Sequence, residues 1–209
     1  MRENIRPQVH RDIPFFHQHY DYTCGPACLM MSMQYCNPGM QTGKALEIDL
    51  WREGTFVIVY GTSRFGLAYS AAVRGFKARV TSNTGGVDFV DRFIPPLSDK
   101  DLETLTYHFL ERRARCRKRG VRERTGTITA DILYDVLEAD HVPLIITSTS
   151  YFGREDLPHW VVGTGISDTF LSLNNPLDAR KKKREVPLSD LPAFIGYRGS
   201  QSMVEGWKE

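Results

Sequence analysis

The chain has 209 residues, of which 41% are hydrophobic and 25% charged, with a formal net charge of +2. That is the composition of a soluble globular protein, long enough to bury a full core without disulfide staples or a structural metal. The opening "MRENIRPQVHRDIPFF" is too polar for a signal peptide, and no apolar run approaches the ~20 residues that span a bilayer, so a cytoplasmic address and no membrane partner are expected.

In chain order, residues 1–22 read as an extended arm or short strand around "IPFFHQ". Thr23 is a candidate cap for a helix over 24–36, built from the strong helix formers Ala, Leu, Met and Gln and ended by "NPGMQTG". A second helix is expected over roughly 44–53, then a short buried segment "TFVIVYG", an amphipathic helix over 64–76 and a strand "KARVTS". Residues 98–119 are helical, with Leu102, Leu105, Phe109 and Leu110 on one face, and a Thr-capped helix follows over 129–140. Beyond it "VPLIITSTSY", "HWVVGTGIS" and "TFLSLNN" read as strands. Helices first and strands second predict an α+β architecture with a lobe boundary near 125.

The charge is segregated. Residues 111–124 carry eight basic and two acidic side chains and "RKKKR" over 180–184 adds five basic ones, leaving the remainder net acidic. Such runs are commonly solvated faces; the functional alternative is an acidic partner. With no aromatics interleaved in either run, a stacking surface for nucleic acid is not supported.

Three of the four cysteines, Cys24, Cys28 and Cys36, fall in one helix and the fourth, Cys116, in the arginine run, which predicts reduced thiols. Cys28 and Cys36 read as small core residues. Cys24 and Cys28 share a helix face and, with His17 or His19, have the residue types for zinc, but no second Cys/His pair is clustered elsewhere, so neither metal nor cofactor is expected. Cys24 itself opens the helix, where unpaired N–H groups and the positive end of the macrodipole favour thiolate and would donate to a developing oxyanion. Gln18 offers a second oxyanion donor, Gly25 an open approach, and His159 a base that returns its proton to the leaving group. A two-residue turn at Ser167–Asp168 would put Asn174 on the histidine's face, whereas a three-residue loop would put Asn175 opposite it. His108 and His141 have nothing beside them in sequence.

These residues carry a resemblance. Gln18, Cys24-Gly25 at a helix start, and His and Asn 135 and 151 residues after the cysteine are similar in order and spacing to the papain-like cysteine peptidases. "QHYDYTCGPACLMM", "PHWVVGTGI" and "NNP" more closely resemble the double-glycine leader (bacteriocin-processing) peptidase family in its free-standing bacterial form. The resemblance covers roughly residues 12–200. It implies one papain-like domain over 1–209, a mainly helical lobe to 125 packed on an antiparallel sheet formed by 126–209. It further implies Cys24 as nucleophile, His159 as base and acid, Gln18 as oxyanion donor and Asn175 as the orienting residue, where the family has Asp. The expected function is a cysteine peptidase or amidohydrolase acting on a peptide or protein, an acidic one if the 112–124 arginines line the approach. The alternatives are an acyltransferase or transpeptidase on the same site, and a catalytically inactive peptide-binding module.

Overall fold

A computed structural model describes residues 7–56, 59–87 and 96–208. Its first long element, α1 (Cys24–Cys36), has the bounds the sequence predicts, and every residue from Cys24 to Met33 is buried. A helix apolar on all sides belongs inside a fold rather than on it. Around α1 lie α2 (Lys44–Gly54), α3 (Arg64–Val73) and α4 (Asp99–Lys118). α3 stops three residues short of the expected end, because Gly75 takes a left-handed φ of 82° that turns the chain into β4 (Lys77–Ser82).

The remaining elements are β1 (Val9–His10), the hairpin β2 (Thr55–Phe56) and β3 (Val59–Thr62), β5 (Arg122–Thr125), α5 (Ala130–Glu138), β6 (Val142–Ser148), β7 (Pro158–Ile166), β8 (Phe170–Asn174), β9 (Arg184–Pro187), α6 (Leu191–Phe194) and β10 (Ser202–Trp207). Among the described residues these make an eight-stranded sheet in the order β5-β4-β10-β6-β7-β8-β9, with β1 added to β7. Its pairs are antiparallel except β4 with β5, which are parallel. The fold is α+β, as expected, but the sheet is mixed. β4 and β5 lie before residue 125 and pair into the same sheet as the later strands.

Alternation along the central strands divides the core. Leu144, Ile146, Trp160, Val162 and Val204 face α1, α3 and α4, while Ile145, Val161 and Met203 face α5 and α6. Each fully buried Leu or Met of α1 contributes roughly 1.5–3 kcal/mol of transfer free energy.

Of the two readings for residues 1–22, arm or short strand, the described part is the arm: among residues 7–22 Val9–His10 pair as a strand, and Ile13 plugs the core. The expected buried segment "TFVIVYG" falls largely outside the described residues, as do 1–6 of the arm; toward its end Tyr60 is 73% exposed. The β7–β8 turn falls one residue later than Ser167–Asp168: Ser167 N–H donates to Phe170 O at 3.0 Å across Asp168 and Thr169, and Ile166 pairs with Leu171.

Candidate functional site

The start of α1 is left open by its own cap. Thr23 occupies the capping position but makes no capping hydrogen bond; its hydroxyl is turned to Tyr20 O (2.9 Å) and to the carboxylate of Glu47. Glu47, on α2 and fully buried, also accepts from His19 N–H at 2.9 Å and meets His19 Nδ1. A single carboxylate thus holds the 19–23 loop, and the first N–H groups of α1 are left for another acceptor. The N–H groups of Cys24, Gly25 and Trp160 all act on the Cys24 sulfur.

Cys24 and Cys28 bracket the backbone of Trp160. The Trp160 N–H pulls the Cys24 thiol pKa down, and Cys28 S–H donates to the Trp160 carbonyl at 3.3 Å. The thiol therefore lies beside the residue that follows His159. Gly25 lets α1 come close to Thr62 and Trp160. A Cβ there would fall 2.1 Å from Thr62 Oγ1 and 3.2 Å from Trp160 Cδ1. Trp160 Nε1 donates to Thr62 O at 3.1 Å, closing the contact.

His159 is buried at the start of β7, and its Nε2 is 2.8 Å from Asn175 Oδ1. The same oxygen accepts from Leu177 N–H at 3.0 Å. A backbone N–H can only donate, so the group facing it is the amide oxygen, and Nε2 must carry the imidazole proton. Nδ1 is then the basic nitrogen.

A bulge selects Asn175. Near the turn Gly165 pairs with Ser172, but beyond it Gly163 pairs with Leu173 and Val162 with Asn174, so Thr164 is an extra residue on β7. Without it Asn174 would stand on the face of His159. With it, Asn174 points to α1 and donates from Nδ2 to Ile13 O (3.3 Å) and Pro14 O (3.4 Å), while Asn175 moves to the histidine's face. The Thr164 carbonyl is taken up by Arg11 N–H at 2.8 Å.

The arm ties the turn after β8 to the helix start. Gln18 N–H donates to Pro176 O at 3.0 Å, His17 Nδ1 contacts the carbonyls of Pro176 and Asp178, and Asp178 is held by a two-pronged pair with Arg184. Gln18 is buried; its Nε2 donates to Tyr20 O at 2.7 Å, which leaves one amide proton for another acceptor.

Burial dominates the electrostatics and corrects the expected thiolate. It pushes the Cys24 thiol up, against the opposing pull of the Trp160, Gly25 and Cys24 N–H groups. It also pushes His159 down to about 4, with the Asn175 bond and Asp178 acting against it and Arg154 adding to it. Both directions favour the neutral forms, a protonated Cys24 thiol and an uncharged His159 imidazole.

The other polar candidates are occupied elsewhere. His17 and His19 have the partners given above, and no group of three His, Cys, Asp or Glu side chains is placed to hold a metal among the described residues. All four cysteines are free. His141, which looked isolated in sequence, meets the buried Glu205 at 2.8 Å and stacks on Trp207. The arginine run does not line the approach to Cys24. Arg113 and Arg117 pair with Glu123 of β5, which is four strands, roughly 19 Å, from β7. Lys181, Lys182, Lys183 and Arg184 lie nearer and are paired with Asp12, Asp178, Glu185 and Asp178. Sequence reasoning missed Glu47, the Trp160 backbone and the Pro176 carbonyl. An isolated Glu in a helical first turn carries no mark of its role, and backbone groups carry none at all.

The fold is that of C39-like peptidases. A crystal structure described as a C39-like peptidase from Bacillus anthracis aligns over 98% of this chain and 99% of its own, with a TM-score of 0.59 at 15% identity. A double glycine motif protease from an AMS/PCAT transporter, solved with its leader peptide, aligns over 97% and 100% with a TM-score of 0.49 at 13% identity. A search of the curated proteins gives no match. The peptidase C39-like family model matches residues 13–195, and the chain belongs to that family.

Proposed function

We propose that the chain is a cysteine peptidase or amidohydrolase in which Cys24 is the nucleophile, His159 the base and acid, Asn175 the orienting residue and Gln18 an oxyanion donor. The observation that carries this is the shared Asn175 oxygen. By accepting from Leu177 N–H it fixes the Nε2–H tautomer of His159, leaving Nδ1 as a base at the strand position next to the thiol.

In the proposed reaction Nδ1 takes the thiol proton as sulfur attacks the carbonyl carbon. The tetrahedral oxyanion is held by the Cys24 N–H and the free Gln18 amide proton. Collapse breaks the C–N bond, and the amine leaves with the proton from His159. Water, deprotonated by the same nitrogen, then cleaves the thioester and restores the thiol. Thiolate forms as the imidazole accepts its proton.

The test is intact-protein mass spectrometry during incubation with pools of short peptides. An acyl adduct on Cys24 in the native chain, and none in Cys24→Ala, is expected. Product release that continues in Cys24→Ala would remove the reading.

A further inference from the structure

Four aromatic rings gather beside the start of α1 and have no part in the chemistry above. Tyr20 and Tyr22 lie on the loop between Gln18 and Cys24, Trp51 on α2 and Tyr60 on β3. Tyr20 stacks on Tyr22 at 5.6 Å between centroids, and Tyr22 meets Trp51 at 4.9 Å and Tyr60 at 6.0 Å. Trp51 Nε1–H donates to Tyr60 O at 2.5 Å, which fixes the indole against the hairpin. Lys44 Nζ stands 5.2 Å from the Tyr20 ring centre. None of the four is in the core; Tyr60 is mostly exposed and the other three partly so.

Single exposed aromatics are ordinary, but three rings gathered on Tyr22 are not. The patch is also anchored to the site at both ends. Tyr22 precedes Cys24 by two residues, a reach of at most about 7 Å. Tyr60 precedes Thr62 by two, and Thr62 is where Gly25 and Trp160 close on each other. Around the rings stand exposed polar side chains, His19, Asp21, Lys44 and Asp49. An aromatic centre with a polar rim is the anatomy of a recognition surface. Rings already locked on one another lose little freedom when they bind.

Resting on the peptidase reading, we infer that this patch is its specificity surface, and that it takes an aromatic side chain of the peptide substrate near the scissile bond. Rings that already stack and tilt on one another suit another ring better than an aliphatic chain. Arg113 and Arg117 of the arginine run and the 181–184 cations are paired with carboxylates, so selection is assigned to the rings.

The test uses pools of hexapeptides carrying one common N-terminal dye, with Phe, Tyr or Trp fixed at one position in turn and a Gly-fixed pool as reference. Anisotropy with Cys24→Ala reads binding without turnover. The aromatic-fixed pools are expected to bind at least about tenfold tighter than the Gly pool, a difference that one well-buried ring supplies. Tyr60→Ala should shrink that preference and Tyr22→Ala with Tyr60→Ala should abolish it; Tyr60 is exposed enough that its single variant keeps the fold. Equal binding of aromatic and Gly pools, or a preference that survives the double variant, would overturn the inference. Cleavage of the same pools by the native chain reads the chemistry separately. Aromatic binding without cleavage would remove the peptidase and keep the surface. Cleavage without aromatic preference would keep the peptidase and remove the surface.

Discussion

The loop that leads into Cys24 is held by groups near it in sequence, whereas the histidine half is held by register. Cys24 is set by the Tyr20–Thr23 turn and by Glu47, all within 24 residues. His159 depends on a bulge at Thr164, a turn at 175–178 and an N-terminal arm whose contacts reach back about 160 residues. The difference teaches where each half is vulnerable. A local change should unseat the thiol, but a shift of one strand position would exchange Asn175 for Asn174 and leave the imidazole without its orienting oxygen.

The largest effect should come from His159→Ala, which leaves the thiol in place and removes its base. The specificity constant is expected to fall by at least about 10³-fold, read from peptide cleavage. Next is a pH effect on stability. A neutral buried His159 at about 4, against 6.5 unfolded, means the unfolded chain binds the extra proton between those values. Stability therefore rises with pH across that window, by roughly 3 kcal/mol, and is lost as pH falls through it. Urea unfolding at pH 4 and pH 7 checks this, and in His159→Gln that part of the slope should vanish.

Asn175→Ala should lower turnover by about 10²-fold by freeing the ring and its tautomer. Asn174→Ala should leave turnover within about twofold and cost about 1 kcal/mol of stability, because its bonds run to the arm. The two together separate an orienting residue from a structural one, through cleavage rate and unfolding midpoint. Gly25→Ala should cost about 2 kcal/mol, lowering the melting temperature by roughly 4–8 °C, since Thr62 and Trp160 must give way. Smallest of all, Arg117→Glu with Arg119→Glu should change cleavage of acidic peptides by less than about twofold at low salt, the run being far from the thiol.

The same division explains what was legible. α1 and β4 could be bounded from helix formers, turn residues and alternation, because those signals are local. Cys24 at a helix start and His159 at a strand start follow from them. β5, "RERT", has no apolar residue to mark it as a strand, and it is held by pairing with β4 and by Glu123 beneath α4. β10 carries the buried Glu205, whose charge is met by Arg79 and His141 from other elements. The choice between Asn174 and Asn175 turned on one extra residue between Gly163 and Gly165. A Cβ at Gly165 would come within 2.7 Å of Val9 O, a contact that exists only once the arm is docked. The effect of burial on Cys24 and His159 was also out of reach, since helix-start N–H groups are visible in sequence and depth of burial is not.

The most direct measurement is the pH dependence of iodoacetamide alkylation at Cys24, site-resolved by mass spectrometry, in the native chain and in His159→Ala. Burial pushes the isolated thiol above its usual range, so reactivity at acidic pH requires a base that takes the proton. The account predicts alkylation in the native chain that persists well below the range of a free thiol and declines only as His159 is protonated. In His159→Ala the profile should move up to that of a buried thiol. The same high-pH profile in both proteins would contradict a working Cys24–His159 pair.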